Sequence, residues 1–418
     1  MPPKLDAEPP SKRRRIAVAA LGTAGVLLIA AALVGRAAGV RADEAAMDEL
    51  AARVDASADR EEFSPTPEES AVATDDDPSA DGPGASVLGA TTLPPDPSSP
   101  RAQTGSGEAV TFLFGGDVHL DGPLATTLRD HPERILDGLQ PALSVADVSI
   151  VNLETAVTER GTAAPKAFNF RAPASIYSVL SDGGVDVIAS ANNHTLDYGR
   201  VGFDDTLAAA AQAAAPVIGI GADDTAAFAP WTRTINGQRI AVINATDVLD
   251  AAFTSTWAAS PTQGGVASAK DTERLLTAVR SARADADTVV VYLHWGAEAT
   301  TCPTGRQVSL ADQLIEAGAD IIVGGHQHRV LSAGFRGDAY IGYGLGNLVF
   351  KASSTAGRET GLLRVTITGR RVDGAEWLPG RIGPDFTPDL LFGAEADAAM
   401  ESWNAKRTCT NLTALPGS

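Results

Sequence analysis

Thr288-Val289-Val290-Val291-Tyr292-Leu293 runs directly into His294, and Asp320-Ile321-Ile322-Val323-Gly324-Gly325 runs into His326. Both are short apolar runs rich in β-branched residues, the signature of a buried strand, and both end on a polar residue. The design recurs upstream. Val110-Thr111-Phe112-Leu113-Phe114 leads through two glycines to Asp117. Ser149-Ile150-Val151-Asn152-Leu153 leads to Glu154, and Val185 to Ser190 leads to Ala191-Asn192-Asn193-His194. Ala-rich helical stretches lie between, at Asp204 to Ala215 and Leu310 to Ala317. After Tyr343 antiparallel strands are expected, including Gly361 to Thr368, followed by a less regular tail. Strands alternating with helices predict an α/β sandwich. Open α/β folds place ligands at the C-terminal ends of their strands, where all five of these polar tips fall.

Working outward, residues 108–392 read as this one domain and 393–418 as a C-terminal tail. Residues 36–107 read as a disordered stalk: acidic, Pro-rich and poor in aromatics, with only a short helix expected around Asp43-Glu44 and Asp48-Glu49. Ahead of it, Ile16 to Gly35 is an uncharged apolar stretch of 20 residues. At about 1.5 Å per residue it reaches roughly 30 Å, the thickness of a bilayer core. Lys12-Arg13-Arg14-Arg15 precedes it within a basic tail, residues 1–15. This predicts a single-pass anchor in the cell membrane, with a cytoplasmic N-terminus and an extracellular C-terminal domain. A signal peptide cleaved near Val40-Arg41-Ala42 is the alternative. The net charge of −19 argues against nucleic acid as a partner. The two cysteines, Cys302 and Cys409, suggest a disulfide in an exported domain; two buried thiols are the alternative.

Five of the six histidines, His119, His194, His294, His326 and His328, sit at strand tips, and His131 does not. Asp117, Glu154 and Asn193 share those tips. Imidazole with carboxylate suits Zn, Mn or Fe, and the absence of a Cys at the tips argues against a structural zinc site. Asp117-x-His119 offers two ligands from one strand–loop junction. In Gly325-His326-Gln327-His328 the glycine permits a sharp turn, and the intervening residue is expected to place both imidazoles on one side of an extended segment. For any lone histidine the alternative is a hydrogen-bonded core residue or a strand cap.

Gly116-Asp117-Val118, Asn152-Leu153-Glu154, Asn192-Asn193-His194-Thr195-Leu196-Asp197-Tyr198-Gly199, His294-Trp295-Gly296-Ala297-Glu298, Gly325-His326-Gln327-His328 and Gly344-Leu345-Gly346-Asn347 occur in this order. From about Ala109 to Lys351 the chain resembles the CapA family of poly-γ-glutamate capsule synthesis, which is similar in fold to calcineurin-like metallophosphatases. The resemblance implies a four-layer α/β/β/α sandwich holding two divalent ions (Mn, Zn or Fe). It implies Asp117, His119 and His328 on one ion, Asn193, His294 and His326 on the other, and Glu154 as the bridge. His194 would act as general acid or stabilise developing charge. Asn152, Asn192, Asp197, Glu298 and Asn347 would support the ligands or meet substrate. Two departures stand out: Asn-Leu-Glu replaces the phosphatase Gly-Asp, and His326 and His328 are spaced as in phosphatases rather than with the family's wider spacing. The absence of a P-loop argues against an ATP-dependent ligase.

The expected activity is metal-dependent hydrolysis of a phosphoester or amide outside the cell. The alternative is a non-catalytic accessory protein that binds or exports an anionic surface polymer. The expected partner is such a polymer, poly-γ-glutamate or a cell-wall component, and the resemblance also admits a membrane capsule-synthesis complex.

Overall fold

The computed structural model describes residues 106–417. The expected basic tail, the apolar stretch 16–35 and all but the last two residues of the stalk lie outside them. Among the described residues no helix is long and apolar enough to cross a membrane.

Strand β1 (Val110–Val118) is followed by α1 (Pro123–Asp130), β2 (Val148–Leu153), α2 (Ile176–Asp182), β3 (Val187–Ala189), α3 (Gly199–Ala213) and β4 (Val217–Ile218). A hairpin of β5 (Trp231–Ile235) and β6 (Gln238–Thr246) leads to α4 (Thr272–Asp285), β7 (Thr288–His294), α5 (Gly305–Ala317) and β8 (Ile321–Gly325). Then come β9 (Ala333–Arg336), β10 (Ala339–Gly342), β11 (Asn347–Val349), β12 (Glu359–Thr368), β13 (Arg371–Ile382), β14 (Pro388–Leu390) and α6 (Gly393–Ala405).

The strands form two mixed sheets. One has the order β14-β13-β12-β1-β2-β3-β4, with β11 also paired to β1; the other has the order β9-β10-β8-β7-β6-β5. Strands β1 to β4 run parallel to one another, as do β6, β7, β8 and β10. Successive side chains of a strand point to opposite faces, and β7 shows where those faces go. Val290 and Tyr292 join Phe112, Phe114, Ile150 and Leu363 in a core between the two sheets. Val289, Val291 and Leu293 join Leu275, Val279, Leu310 and Leu314 of α4 and α5 in a second core on the outer face. Leu113, Val151 and Ile188 point away from the inter-sheet core and are also buried, so the first sheet is covered outside as well. Tyr177 of α2 and Thr206 of α3 are buried and joined by a hydrogen bond.

The element boundaries refine the expectations. Helix α5 starts at Gly305 rather than Leu310. Thr304 accepts from the Gln307 N–H and the Gln307 side chain bonds back, a capping box that starts the helix a turn early. Helix α3 starts at Gly199 rather than Asp204 because the Leu196–Gly199 turn feeds straight into it. The C-terminal segment forms α6, and its Trp403 stacks on Trp377 at 5.9 Å between ring centres. Trp403 belongs to the inter-sheet core and Leu412 to the outer one. The Cys302–Cys409 disulfide is formed, so the tail is held by burial and by a covalent bond.

Candidate metal centre

The parallel registers bring the strand tips level. Asp117 of β1 stands beside Asn152 of β2, which stands beside Ala189 of β3; in the other sheet His294 stands beside Gly325. The β1 register shifts between Phe114 and Asp117, a bulge at Gly115-Gly116 that re-aims the strand end. Any side-chain carbon on Gly116 would strike the Gly346 backbone, and one on Gly325 would strike the Asp117 carboxylate. The sheets meet at this end. Asn152 Nδ2 donates to Asp117 Oδ1 at 2.8 Å and lies 3.1 Å from His294 Nδ1. The His326 N–H donates to Asp117 Oδ2 at 2.9 Å.

Three groups of donor atoms result, each within a 4.8 Å span: Glu154 with His294 and His326, Asp117 with Glu154 and His328, and Glu298 with His326 and His328. Glu154 is shared by the first two, as a bridging residue would be. Asn193 adjoins the first group, its Oδ1 2.7 Å from His294 Nε2. His119 stands apart from all three. Its Nε2 accepts the Lys351 N–H at 3.0 Å, and its ring packs against Phe170 and Phe350. Burial, with His328, His194 and Lys351 nearby, holds its pKa down at about 3.

The His326-Gln327-His328 turn also differs from the expected extended segment. His326 has φ 94° and His328 φ 53°, both in the left-handed region that non-glycine residues avoid. Such backbone costs of order 1–3 kcal/mol per residue and persists where the surroundings enforce it. Here Gln327 Nε2 donates to Trp295 O at 2.7 Å, and the Ala299 N–H donates to Gln327 O at 2.9 Å. His328 Nδ1 lies 2.8 Å from Asn347 Oδ1.

Electrostatics prepare Glu154 and His326 as donors and act the other way on Asp117 and His328. Glu154 is fully buried, and neither carboxylate oxygen has a hydrogen-bond partner. His294 Nε2 lies 3.2 Å from Glu154 Oε1 but is aligned on Asn193 instead. Burial alone would raise the Glu154 pKa; His328 and His294 outweigh it and hold the group at about 2. Burial and then Glu154 raise Asp117, while burial and the His294 charge press His326 well below the ordinary imidazole range. Burial opposes charge on His328 too, but Glu154 and Asp117 raise it overall. His326 Nδ1 and His119 Nδ1 are buried without partners. Ionised carboxylate and neutral imidazole are the forms that bind metal. The orphaned oxygens of Glu154 and the orphaned nitrogen of His326 fit a cation.

His194 occupies the other flank. Its Nδ1 lies 2.7 Å from Asp197 Oδ2 and its Nε2 3.9 Å from Glu154 Oε1. Asn192 holds the turn, accepting the His194 N–H at 3.0 Å and donating to Leu153 O at 2.8 Å. Sequence reasoning missed the segment that braces this flank. Lys166 Nζ lies 2.7 Å from Asp197 Oδ1 and donates to Asn193 O at 2.6 Å. Phe170 stacks on His194 at 4.2 Å, and its N–H donates to Asp197 Oδ2 at 2.6 Å. Phe350 contacts His119 and His328 from the other side. A Lys-Ala-Phe-Asn-Phe run in an irregular loop carries no periodic signal that would flag it. His131 is remote from the centre, 3.6 Å from Glu133.

Residues 111–352 match the family model described as bacterial capsule synthesis protein PGA_cap. The chain belongs to the bacterial capsule synthesis protein family. Within that family it is 32% identical over 270 residues to the PGA biosynthesis protein CapA of Bacillus subtilis, covering 64% of this chain and 70% of that protein. It is 33% identical over 266 residues to the capsule biosynthesis protein CapA of Bacillus anthracis, covering 62% and 64%. Among solved structures it is similar to a 5'-nucleotidase from Candida albicans, with TM-score 0.38 and 11% identity, covering 73% of this chain and 60% of that one. The capsule-family match contains every donor named above and stops short of β12, α6 and Cys409.

Proposed function

We propose that this capsule synthesis family member is a membrane-anchored, metal-dependent hydrolase of an anionic surface polymer or its precursor. The target bond is a phosphoester or an amide. The observation that carries this reading is Glu154: a buried, ionised carboxylate without a hydrogen-bond partner, ringed by histidines. An unpaired buried charge costs several kcal/mol unless something compensates it. Asp117, Glu154 and His328 would hold one divalent ion; Glu154, His294 and His326, with Asn193, would hold the other. When bound, such ions lower the pKa of an attacking water and stabilise negative charge on the scissile group.

The chain's own residues supply the rest. His194 delivers a proton from Nε2 to the leaving group. Asp197 fixes the ring through Nδ1, and Lys166 balances the Asp197 charge. Phe170 and Phe350 wall the centre and limit water. Anchoring through residues 16–35, with the domain outside, belongs to the same reading. It is supported by the Lys12–Arg15 run and by the disulfide, which suits an oxidising compartment.

The test is a panel of phosphoester and γ-glutamyl substrates on the metal-loaded full chain, with ion content measured alongside. His194→Ala is expected to keep its ions and lose about 10²–10⁴ in rate. Loss of ions in that variant would make His194 a ligand. Full ion occupancy without turnover on any substrate would favour the accessory, polymer-binding alternative. Protease added to intact, wall-stripped cells is expected to release a soluble fragment beginning within 36–107; a protected domain would overturn the topology.

A further inference from the structure

Glu298 lies on the loop between β7 and α5 and is exposed, yet its carboxylate falls within 4.8 Å of donor nitrogens of both His326 and His328. An exposed glutamate ordinarily samples many rotamers, and ordering it costs side-chain entropy. Here the loop removes much of that freedom. At its start Trp295 O accepts from Gln327 Nε2 at 2.7 Å. At its middle Ala299, with φ 57°, donates its N–H to Gln327 O at 2.9 Å. Thr300 Oγ1 closes the turn by donating to Ala297 O at 2.8 Å. At its far end Cys302 is bonded to Cys409.

Cys409 is itself well anchored. It ends the short turn after α6, whose Trp403 is buried in the inter-sheet core. Arg407 Nη1 in that turn donates to Ala333 O at 3.1 Å. The loop is therefore pinned to the histidine turn on one side and to the packed C-terminal segment on the other, with Glu298 between the two fixings.

A second observation points to a ligand at this place. His326 is 5% exposed, and its Nδ1 is buried with no hydrogen-bond partner. A carboxylate within 4.8 Å of a nitrogen of that ring, with a second imidazole beside it, is the oxygen-and-nitrogen donor set that borderline divalent ions take.

We propose that Glu298 is a direct metal ligand carried on a disulfide-clamped loop, so that ion retention at His326 and His328 depends on the Cys302–Cys409 bond. This rests on the metal-centre reading above and adds to it an outer carboxylate. The consequence is a centre assembled from two sources. Strand tips supply Asp117, Glu154 and His294, whereas a surface loop tied to the C-terminal segment supplies Glu298.

The experiment titrates Mn²⁺ and Zn²⁺ into the full chain by calorimetry, with bound ions counted by elemental analysis. The variants are Glu298→Gln, Glu298→Asp and the double Cys302→Ser/Cys409→Ser. Glu273→Gln, on the exposed face of α4, is the control. The wild type is expected to bind about two ions, the count of a two-metal site. Glu298→Gln is expected to weaken one of them by at least about 10–100-fold, the range for losing even an indirect support of a metal ligand, and to leave the other unchanged. Glu298→Asp should fall between. The double serine variant should weaken the same ion. As a second route to that result, phosphine reduction of the wild type should release that ion while near-UV circular dichroism shows the fold intact. Identical isotherms for wild type and Glu298→Gln overturn the ligand assignment alone. Weakening by Glu298→Gln but not by disulfide loss overturns the clamp. A wild type that binds no divalent ion overturns the metal-centre reading and this inference with it.

Discussion

The two ends of the parallel strands treat the same side chain in opposite ways. At the leading ends Asp147, Asp186, Asp287 and Asp320 each stand one residue before a strand, β2, β3, β7 and β8. Each donates its own N–H to the neighbouring strand and accepts an N–H from it. Asp147 accepts from Thr111 at 2.8 Å, Asp186 from Ser149 at 2.9 Å, Asp287 from Arg239 at 2.8 Å and Asp320 from Val289 at 2.9 Å. Asp320 is fully buried and also meets Arg283 at 2.5 Å and Arg370 at 3.4 Å. At the trailing ends Glu154 is equally buried, and its carboxylate accepts no hydrogen bond. A carboxylate held by a neighbouring strand's N–H and by arginine serves the fold, and one left unsatisfied has to be accounted for by a ligand; Asp117, which accepts from Asn152 and from the His326 N–H, stands between the two. Strand β2 has one of each, Asp147 before it and Glu154 after it, whereas β7 and β8 join a satisfied aspartate to a histidine.

Glu154→Gln should break this contrast most completely. It keeps the shape and removes the charge. Ion content should fall from about two to below one, because Glu154 belongs to two of the donor groups. The ion-free melting temperature should not fall, since the charge removed had no hydrogen-bond partner to lose. Unchanged ion content, or an unfolded ion-free protein, would contradict the assignment. Asp320→Ala should do the reverse. It leaves two arginines and the Val289 N–H without this carboxylate, so stability should drop by about 3–5 kcal/mol while ion content per folded molecule is unchanged. Denaturant unfolding with ion counting on the folded fraction separates the two effects. Asp186→Ala should show a weaker version of the same result. It removes an acceptor from the Ser149 N–H and Oγ, for a loss of about 1–2 kcal/mol.

How much of this was legible follows from what each level of structure records. The five strand tips could be read because an apolar run ending in His, Asp or Glu is a local pattern. Their convergence is set by parallel register, which is not local. Spacing alone predicts an extended segment at the histidine turn, because it cannot report the φ of 94° at His326. Proximity in sequence groups His119 with Asp117; in space the Lys351 N–H, 232 residues on, takes its Nε2 and leaves its Nδ1 buried without a partner. Lys166 and Phe170 were missed because an irregular loop has no periodicity to betray it. The start of α5 is legible in Thr304-Gly305-Arg306-Gln307 as a capping box, one turn ahead of the Ala-rich stretch. The aspartates of the leading ends were visible too, as a small or apolar residue, then Asp, then a β-branched residue. Ala146-Asp147-Val148, Val185-Asp186-Val187, Ala286-Asp287-Thr288 and Ala319-Asp320-Ile321 all fit it. Position before or after the apolar run separates these carboxylates from Glu154 in the sequence; that they are satisfied and it is not shows only in the count of their hydrogen bonds.

The smallest effect should come from Asp287, and pH is the variable that isolates it. Its side chain is 5% exposed and forks onto Arg239, with Oδ1 2.8 Å from Nη2 and Oδ2 3.2 Å from Nε. The Arg239 side chain is 58% exposed, so solvent screens the pair and limits what it contributes. The hydrogen bond from Arg239 holds the Asp287 pKa below its ordinary value, outweighing the opposing effect of burial. A depressed folded-state pKa means that folding favours the ionised form. That stabilisation is fully present above the unfolded-state value of about 3.9, and it is lost as pH falls through the lower folded-state value. Asp287→Asn removes the titrating group but keeps an acceptor oxygen for the Arg239 N–H. The stability gap between wild type and variant should therefore be flat above about pH 5, where both states of Asp287 are ionised, and narrow below about pH 4. Chemical denaturation across that range reads the gap directly. A gap that widens on acidification would mean that Asp287 is protonated more readily in the folded chain, which would place it with Asp117 among the raised carboxylates and end the distinction between the two ends of β7.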